Sequence, residues 1–221
     1  MSRLATAFQP SPRDYAQPER AAHPSRRSIG ATVLPIFPLN MVLFPDGVLP
    51  LRIFEPRYLD LVSRCLREET CFVAALITRG VESGEAEFHT LGTTARIVDW
   101  DQGANGILHV QAVGEHIATI RDSAVESNGL YVGEVEISDA REPTPVPMRH
   151  HRLAELVSGY LSELKSYSGR AMRPDDAHWL ADRLCELLPL SLTQRQTLLE
   201  ESNALARLDS LHSIIPEAVS A

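Results

Sequence analysis

Three cysteines, eight histidines and a single lysine are the groups through which this 221-residue chain could supply a nucleophile, a neutral base or a soft metal ligand. Their spacing argues against each use. Cys65, Cys71 and Cys185 are odd in number, form no Cys-x-x-Cys pair and sit within apolar stripes, the pattern of buried thiols in a reducing compartment. His150 and His151 are adjacent, so on a helix they point about 100° apart and cannot grip one ion from one face. They are expected at a solvated helix start. His89, His109, His116 and His178 are scattered, with no HxxxH or HExxH pattern. No GxSxG elbow occurs, and Lys165 follows Ser162-Glu163-Leu164 rather than a glycine loop, so neither a hydrolase nucleophile nor a P-loop is in evidence. Glu82, Glu85 and Glu87 read as a charged loop, and Asp175 and Asp176 as the first turn of a helix, where carboxylates favour the dipole. Glu55 is placed to serve as a general base, but it stands beside Arg57 and Arg52 and ahead of Pro56, so pairing with an arginine or capping a helix is the simpler role. Neither a metal nor a cofactor is expected.

Charge narrows the classes further. The net charge is -8 with a pI near 5.5. Residues 1–30 hold five arginines against Asp14 and Glu19, which leaves 16 basic and 27 acidic residues, a net -11, for the remainder. A surface of that sign repels phosphate backbones, so nucleic acid is a poor partner. No apolar run reaches the roughly 18 residues of a membrane span, and no apolar signal core opens the chain. A cytoplasmic protein without membrane contact is expected.

These sparse polar groups need elements to carry them. Residues 1–30 lack apolar periodicity and read as a disordered tail. From Val33 and Leu34 to Tyr58, five prolines punctuate apolar and aromatic residues. Proline lacks the N–H a ladder needs, so short extended pieces at edges are expected, with Pro45-Asp46-Gly47 as a turn. Pro56 suits a first helical position, and Tyr58, Leu59, Val62, Cys65 and Leu66 mark one stripe of a helix. Cys71 to Ile77 reads as a strand buried on both faces. Period-two runs follow at residues 95–100 and 107–113, joined by a reversal at Asn105-Gly106, with further strands at residues 117–120 and 131–137. After the proline-rich connector at residues 142–147, three helices are expected. The first carries Leu153, Val157 and Leu161; the second begins at Pro174; the third opens on a capping box at Thr193 and Gln196 and runs through Leu211. Division into a tail (1–30), a β-rich unit (31–141) and a helical unit (148–214) follows.

Several of these stretches resemble the N-terminal, substrate-binding domain of Lon proteases. They are Leu34-Pro-x-Phe-Pro-Leu, Val42-Leu-Phe-Pro, Leu49-Pro-Leu-x-Ile-Phe-Glu-Pro-Arg-Tyr58, Gly92-Thr-Thr-Ala-Arg-Ile-Val98, Val113-Gly-Glu-His and Leu187-Leu-Pro189, in order over about residues 33–212. One departure is Asp46, since the family usually places glycine directly after that proline. The resemblance implies an α+β fold: a PUA-like small β-barrel or curled sheet with an embedded helix, followed by a C-terminal helical bundle. It implies structural roles for Glu55, Pro56, Arg57, Gly92, Arg96 and Gly114. It also implies a non-enzymatic module for protein quality control that binds unfolded or exposed apolar polypeptide, with a protease or chaperone as a further partner class. No ATPase or Ser-Lys protease motif accompanies it. The peptide groove is expected around Phe37, Phe44, Pro45, Phe54 and Tyr58, residues that flank turns or prolines. Two rival readings are an RNA-binding PUA-like module, and a small-molecule or hydrolase site in the cleft between the units using Glu55, His89 or His116.

Overall fold

Prolines do not exclude the first strand from the interior, because the strand changes partner along its length. The computed structural model describes residues 32–103 and 106–214. The tail at residues 1–30 and Asn105 of the expected reversal lie outside the described residues. Strand β1 (Thr32–Leu39) pairs antiparallel with β7 (Tyr131–Ile137) over Thr32 to Ile36, then parallel with β3 (Phe72–Gly80) over Ile36 to Leu39. Each half is paired along one edge, so Pro35 and Pro38 break no second ladder. β2 (Val48–Ile53), which contains Pro50, pairs with β6 (Leu108–Val125) alone. With β4 (Ala86–Phe88) and β5 (Leu91–Gln102), the described residues form a seven-stranded sheet. Five of its strands close on themselves through the pairings β1–β7, β7–β6, β6–β5, β5–β3 and β3–β1. Closure removes two free edges and makes a small barrel.

The runs at residues 107–113 and 117–120, expected as separate strands, fall from Leu108 onward within one 18-residue strand. The first half of β6 lies between β2 and β5, the second between β5 and β7. Gly114 stands between the halves, where a Cβ would meet the Phe44 carbonyl oxygen at 2.3 Å. There the turn at residues 45–47 is fastened to β6 by Asp46 N–H to Gly114 O (2.8 Å) and Gly114 N–H to Gly47 O (2.9 Å). Asp46, where the resembled family has glycine, adopts a left-handed φ of 61°, which aspartate tolerates better than most residues.

Helix α1 (Pro56–Arg67) begins at the proline as expected and buries Tyr58, Leu61, Val62 and Cys65. Leu59 and Leu66, expected in that stripe, are exposed instead. After the connector come a 3₁₀ turn (Met148–His150), α2 (His151–Glu163), α3 (Ala177–Leu187), α4 (Leu192–Glu200) and α5 (Ala204–Ile214). The second helix starts at Ala177 rather than Pro174, because the Asp176 carboxylate accepts from His178 N–H and sets the N-cap there. The capping box is Ser191 with Gln194, two residues ahead of the expected pair, which frees Gln196 to donate to Leu91 O of β5 (3.1 Å). The expected third helix is two, since the Asn203 side chain accepts from the N–H groups of Leu205 and Ala206 and caps a new start. His150 is buried rather than solvated, facing Asp209 (3.1 Å) and the ring of His212.

One apolar cluster joins Val42 and Phe44, from the segment between β1 and β2, and Leu76 of β3 to α2, α3, α4 and α5, while a second fills the barrel beneath α1 and a third packs β1, β3, β6 and β7. All three cysteines are buried and unpaired. Burial pushes the Cys65 thiol up to about 12 and Cys185 to about 11, and raises Cys71 as well. Burial also raises the phenols of Tyr58 (to about 12) and Tyr167. Each folded value lies above the unfolded one, so this contribution to stability is complete below about pH 9 and is lost as pH climbs toward about 12. The urea midpoint is therefore expected to fall steadily from about pH 9 upward, and native thiols to resist iodoacetamide at about pH 8 until urea is added. Rapid alkylation of the folded chain would contradict this.

Candidate functional site

The Ile53–Tyr58 corner is built by Arg57. Its Nε donates to Glu55 Oε2 (3.0 Å), Nη2 to Glu82 O (2.8 Å), and Nη1 to the carbonyls of Gly84 (3.2 Å) and Gly129 (3.3 Å). One guanidinium thus ties the start of α1 to two loops distant in sequence, using the planar fork that lysine lacks. Tyr58 O–H donates to Glu82 O (3.0 Å), and its ring stacks on Phe37 with centroids 4.0 Å apart. Asn40 N–H donates to Glu82 Oε1 (2.6 Å), closing the loop over the ring pair.

A shallow depression of about 190 Å³ results, lined by Phe37, Arg52, Phe54, Glu55, Tyr58, Glu82 and Ser83. Phe54, the first residue after β2, is 65% exposed beside it, whereas Phe37 and Tyr58 are buried. Three of the five expected groove residues therefore come together. Phe44 and Pro45 do not. Phe44 is wholly buried in the cluster shared with the helices, and Pro45 O accepts from Arg183 Nη2 (2.8 Å), so both belong to the seam between sheet and bundle. The seam drew them in because the turn at residues 45–47 bends away from β2 and toward α3. Glu82 and Ser83 were missed as lining residues. Only folding brings them beside Tyr58, 24 residues earlier, and no local pattern marks it.

The remaining motif residues, Gly92, Arg96 and Gly114, lie outside this corner. Gly92 passes so close to β3 that a Cβ would meet Ala74 O at 2.4 Å. Arg96 pairs with Glu115 across β5 and β6 (2.6 Å) and donates to Glu69 O. Glu55, His89 and His116 are not assembled into a site: Glu55 is held by Arg57, His89 Nδ1 faces Glu200 Oε1 at 3.7 Å, and His116 uses its backbone to meet Thr94. Among the described residues no cluster of His, Cys, Asp or Glu could hold a metal ion, and no helix is long and apolar enough to cross a membrane.

The ATP-dependent protease La (LON) substrate-binding domain model matches residues 33–217. The chain belongs to the Lon substrate-binding domain family. A Lon protease of Xanthomonas oryzae pv. oryzae is 27% identical over 192 residues, covering 82% of this chain and 22% of that enzyme. Protein cereblon of Gallus gallus is 30% identical over 148 residues, 64% of this chain and 32% of that protein. The chain thus spans less than a third of the length of these curated relatives. The crystal structure of a Lon N-terminal domain protein from Xanthomonas campestris superposes with a TM-score of 0.69 at 37% identity, covering 84% of this chain and 99% of that one. The N-terminal domain of a Mycobacterium avium complex Lon protease, at 20% identity and a TM-score of 0.56 over 81% of this chain and 96% of that one, shares the fold. The mixed α+β architecture with C-terminal helices is that of these Lon N-terminal domains.

Proposed function

We propose that this Lon-type domain binds extended polypeptide without catalysing its cleavage, seating an apolar or aromatic side chain against Phe54 and the Phe37–Tyr58 stack. The carrying observation is Phe54, a large ring 65% exposed beside a preformed depression. Large exposed rings next to rigid apolar walls bind segments with little ordering cost. Family membership supports a polypeptide as the ligand. Clients would be unfolded or apolar segments, with a protease or chaperone as a second partner class. Buried free thiols suit the reducing cytoplasm as the place of action.

Fluorescence anisotropy with labelled unfolded peptides, apolar and acidic, at two salt concentrations tests this reading. Binding of the apolar peptides is expected to be insensitive to salt and to weaken about tenfold in Phe54→Ser, with the melting temperature nearly unchanged. Binding indifferent to Phe54, or seen only at low salt, would remove the depression from consideration.

A further inference from the structure

Helix α2 turns Ala154, Val157 and Leu161 into the core and leaves Arg152, Leu156, Gly159, Tyr160 and Glu163 exposed. At 3.6 residues per turn these five share one outer stripe about 100° wide. Its centre is apolar, with Leu156 48% and Tyr160 53% exposed, and its two ends carry opposite charges. We infer that this stripe is a self-association surface, which packs antiparallel on α2 of a second copy of the chain about a two-fold axis.

The order of the charges names the occupant. Arg152 opens the stripe and Glu163 closes it, and among the described residues neither forms an ion pair. A two-fold axis level with Ser158 sets Leu156 opposite Tyr160 of the second copy. The same axis brings Arg152 within one residue's rise, about 1.5 Å along the axis, of the second copy's Glu163. Both charge pairs of the dimer are then made at once, and the apolar centre is closed between them. An unrelated helix would have to present the same charges in reverse order; a second copy does so by symmetry. Gly159 supplies an independent observation. It sits inside the helix, where alanine would be more stable, yet a Cβ built there meets nothing within 4 Å. Nothing in its own surroundings requires glycine, whereas a helix backbone facing it closely would. One helix from each copy buries less than the roughly 1,200 Å² of a standard interface, so the dimer is weak, with a Kd of about 10–100 μM.

Sedimentation velocity of the full chain from about 5 to 500 μM, a range that brackets this Kd, tests the surface. Wild type is expected to pass from monomer to dimer. Arg152→Glu and Glu163→Arg should each weaken self-association at least about tenfold, because each sets like charges together at both ends of the dimer. Mixed in equal amounts, the two variants should associate about as well as wild type, since one copy then carries both carboxylates and the other both guanidiniums. Gly159→Leu should abolish association without lowering the melting temperature, because the position is open in the monomer. Wild type that stays monomeric throughout, single variants that associate like wild type, or a mixture that stays monomeric would overturn the proposal. So would a melting temperature lowered by Arg152→Glu at low concentration, which would assign the cover of the stripe to the chain's own ends.

Discussion

Replacing Phe44 by alanine should cost about 3–5 kcal/mol of folding stability, read from urea unfolding, while leaving peptide affinity of the folded fraction unchanged. Phe44 is fully buried in the cluster that includes Val42, Leu76, Leu180 and Leu208, so its loss opens a cavity where two halves of the molecule meet. Collapse cannot readily close that cavity. The Phe44 carbonyl is pinned by Gly47 N–H (2.9 Å), the Gly114 backbone abuts it, and the Arg207 guanidinium lies 5.9 Å from the ring centroid. A domain of this size has only about 5–15 kcal/mol to lose, so the variant will be marginal. A loss below about 1 kcal/mol would show that sheet and bundle do not share this core.

Asp182→Ala should be of similar severity, about 3–5 kcal/mol, for an electrostatic reason. Asp182 and Arg207 each keep about 1% side-chain exposure and pair between α3 and α5, and Arg141 reaches the same carboxylate from the segment after β7. Removing the carboxylate leaves a buried guanidinium uncompensated, with Arg207 Nε already lacking an acceptor. Replacing both partners with apolar residues, Asp182→Leu with Arg207→Met, should recover most of the loss, because the desolvation cost leaves with the charges. A double-mutant cycle by urea unfolding checks this. A double variant no more stable than Asp182→Ala would refute the assignment of the cost to the unpaired charge.

Both effects arise at the seam, where reading the sequence was least informative. Phe44 and Phe54 look alike in the chain, each a phenylalanine next to proline or a turn within an apolar run, and both were expected in one groove. The turn at residues 45–47 sends Phe44 toward the helices, whereas Phe54 follows the last inward residue of β2 and so points outward. Nothing local foretold Phe44. Arg183 and Arg207 are similar: arginines on helices read as solvated, yet both are buried because carboxylates from other turns meet them.

What the sequence alone determined was set by nearest-neighbour chemistry. Proline at N1 began α1, period-two runs placed β5 and β7, the 142–147 connector separated strands from helices, and the ordered motifs named the family. Those signals act over a few residues, or accumulate along the chain, and survive being read in one dimension. Overlapping capping frames at Ser191 and Thr193, the fusion of two runs into β6, the closure of the barrel through β1 and β3, and the choice of which phenylalanine faces solvent were decided by tertiary structure. Each is a competition between locally equivalent alternatives, and only packing between residues distant in the chain breaks the tie.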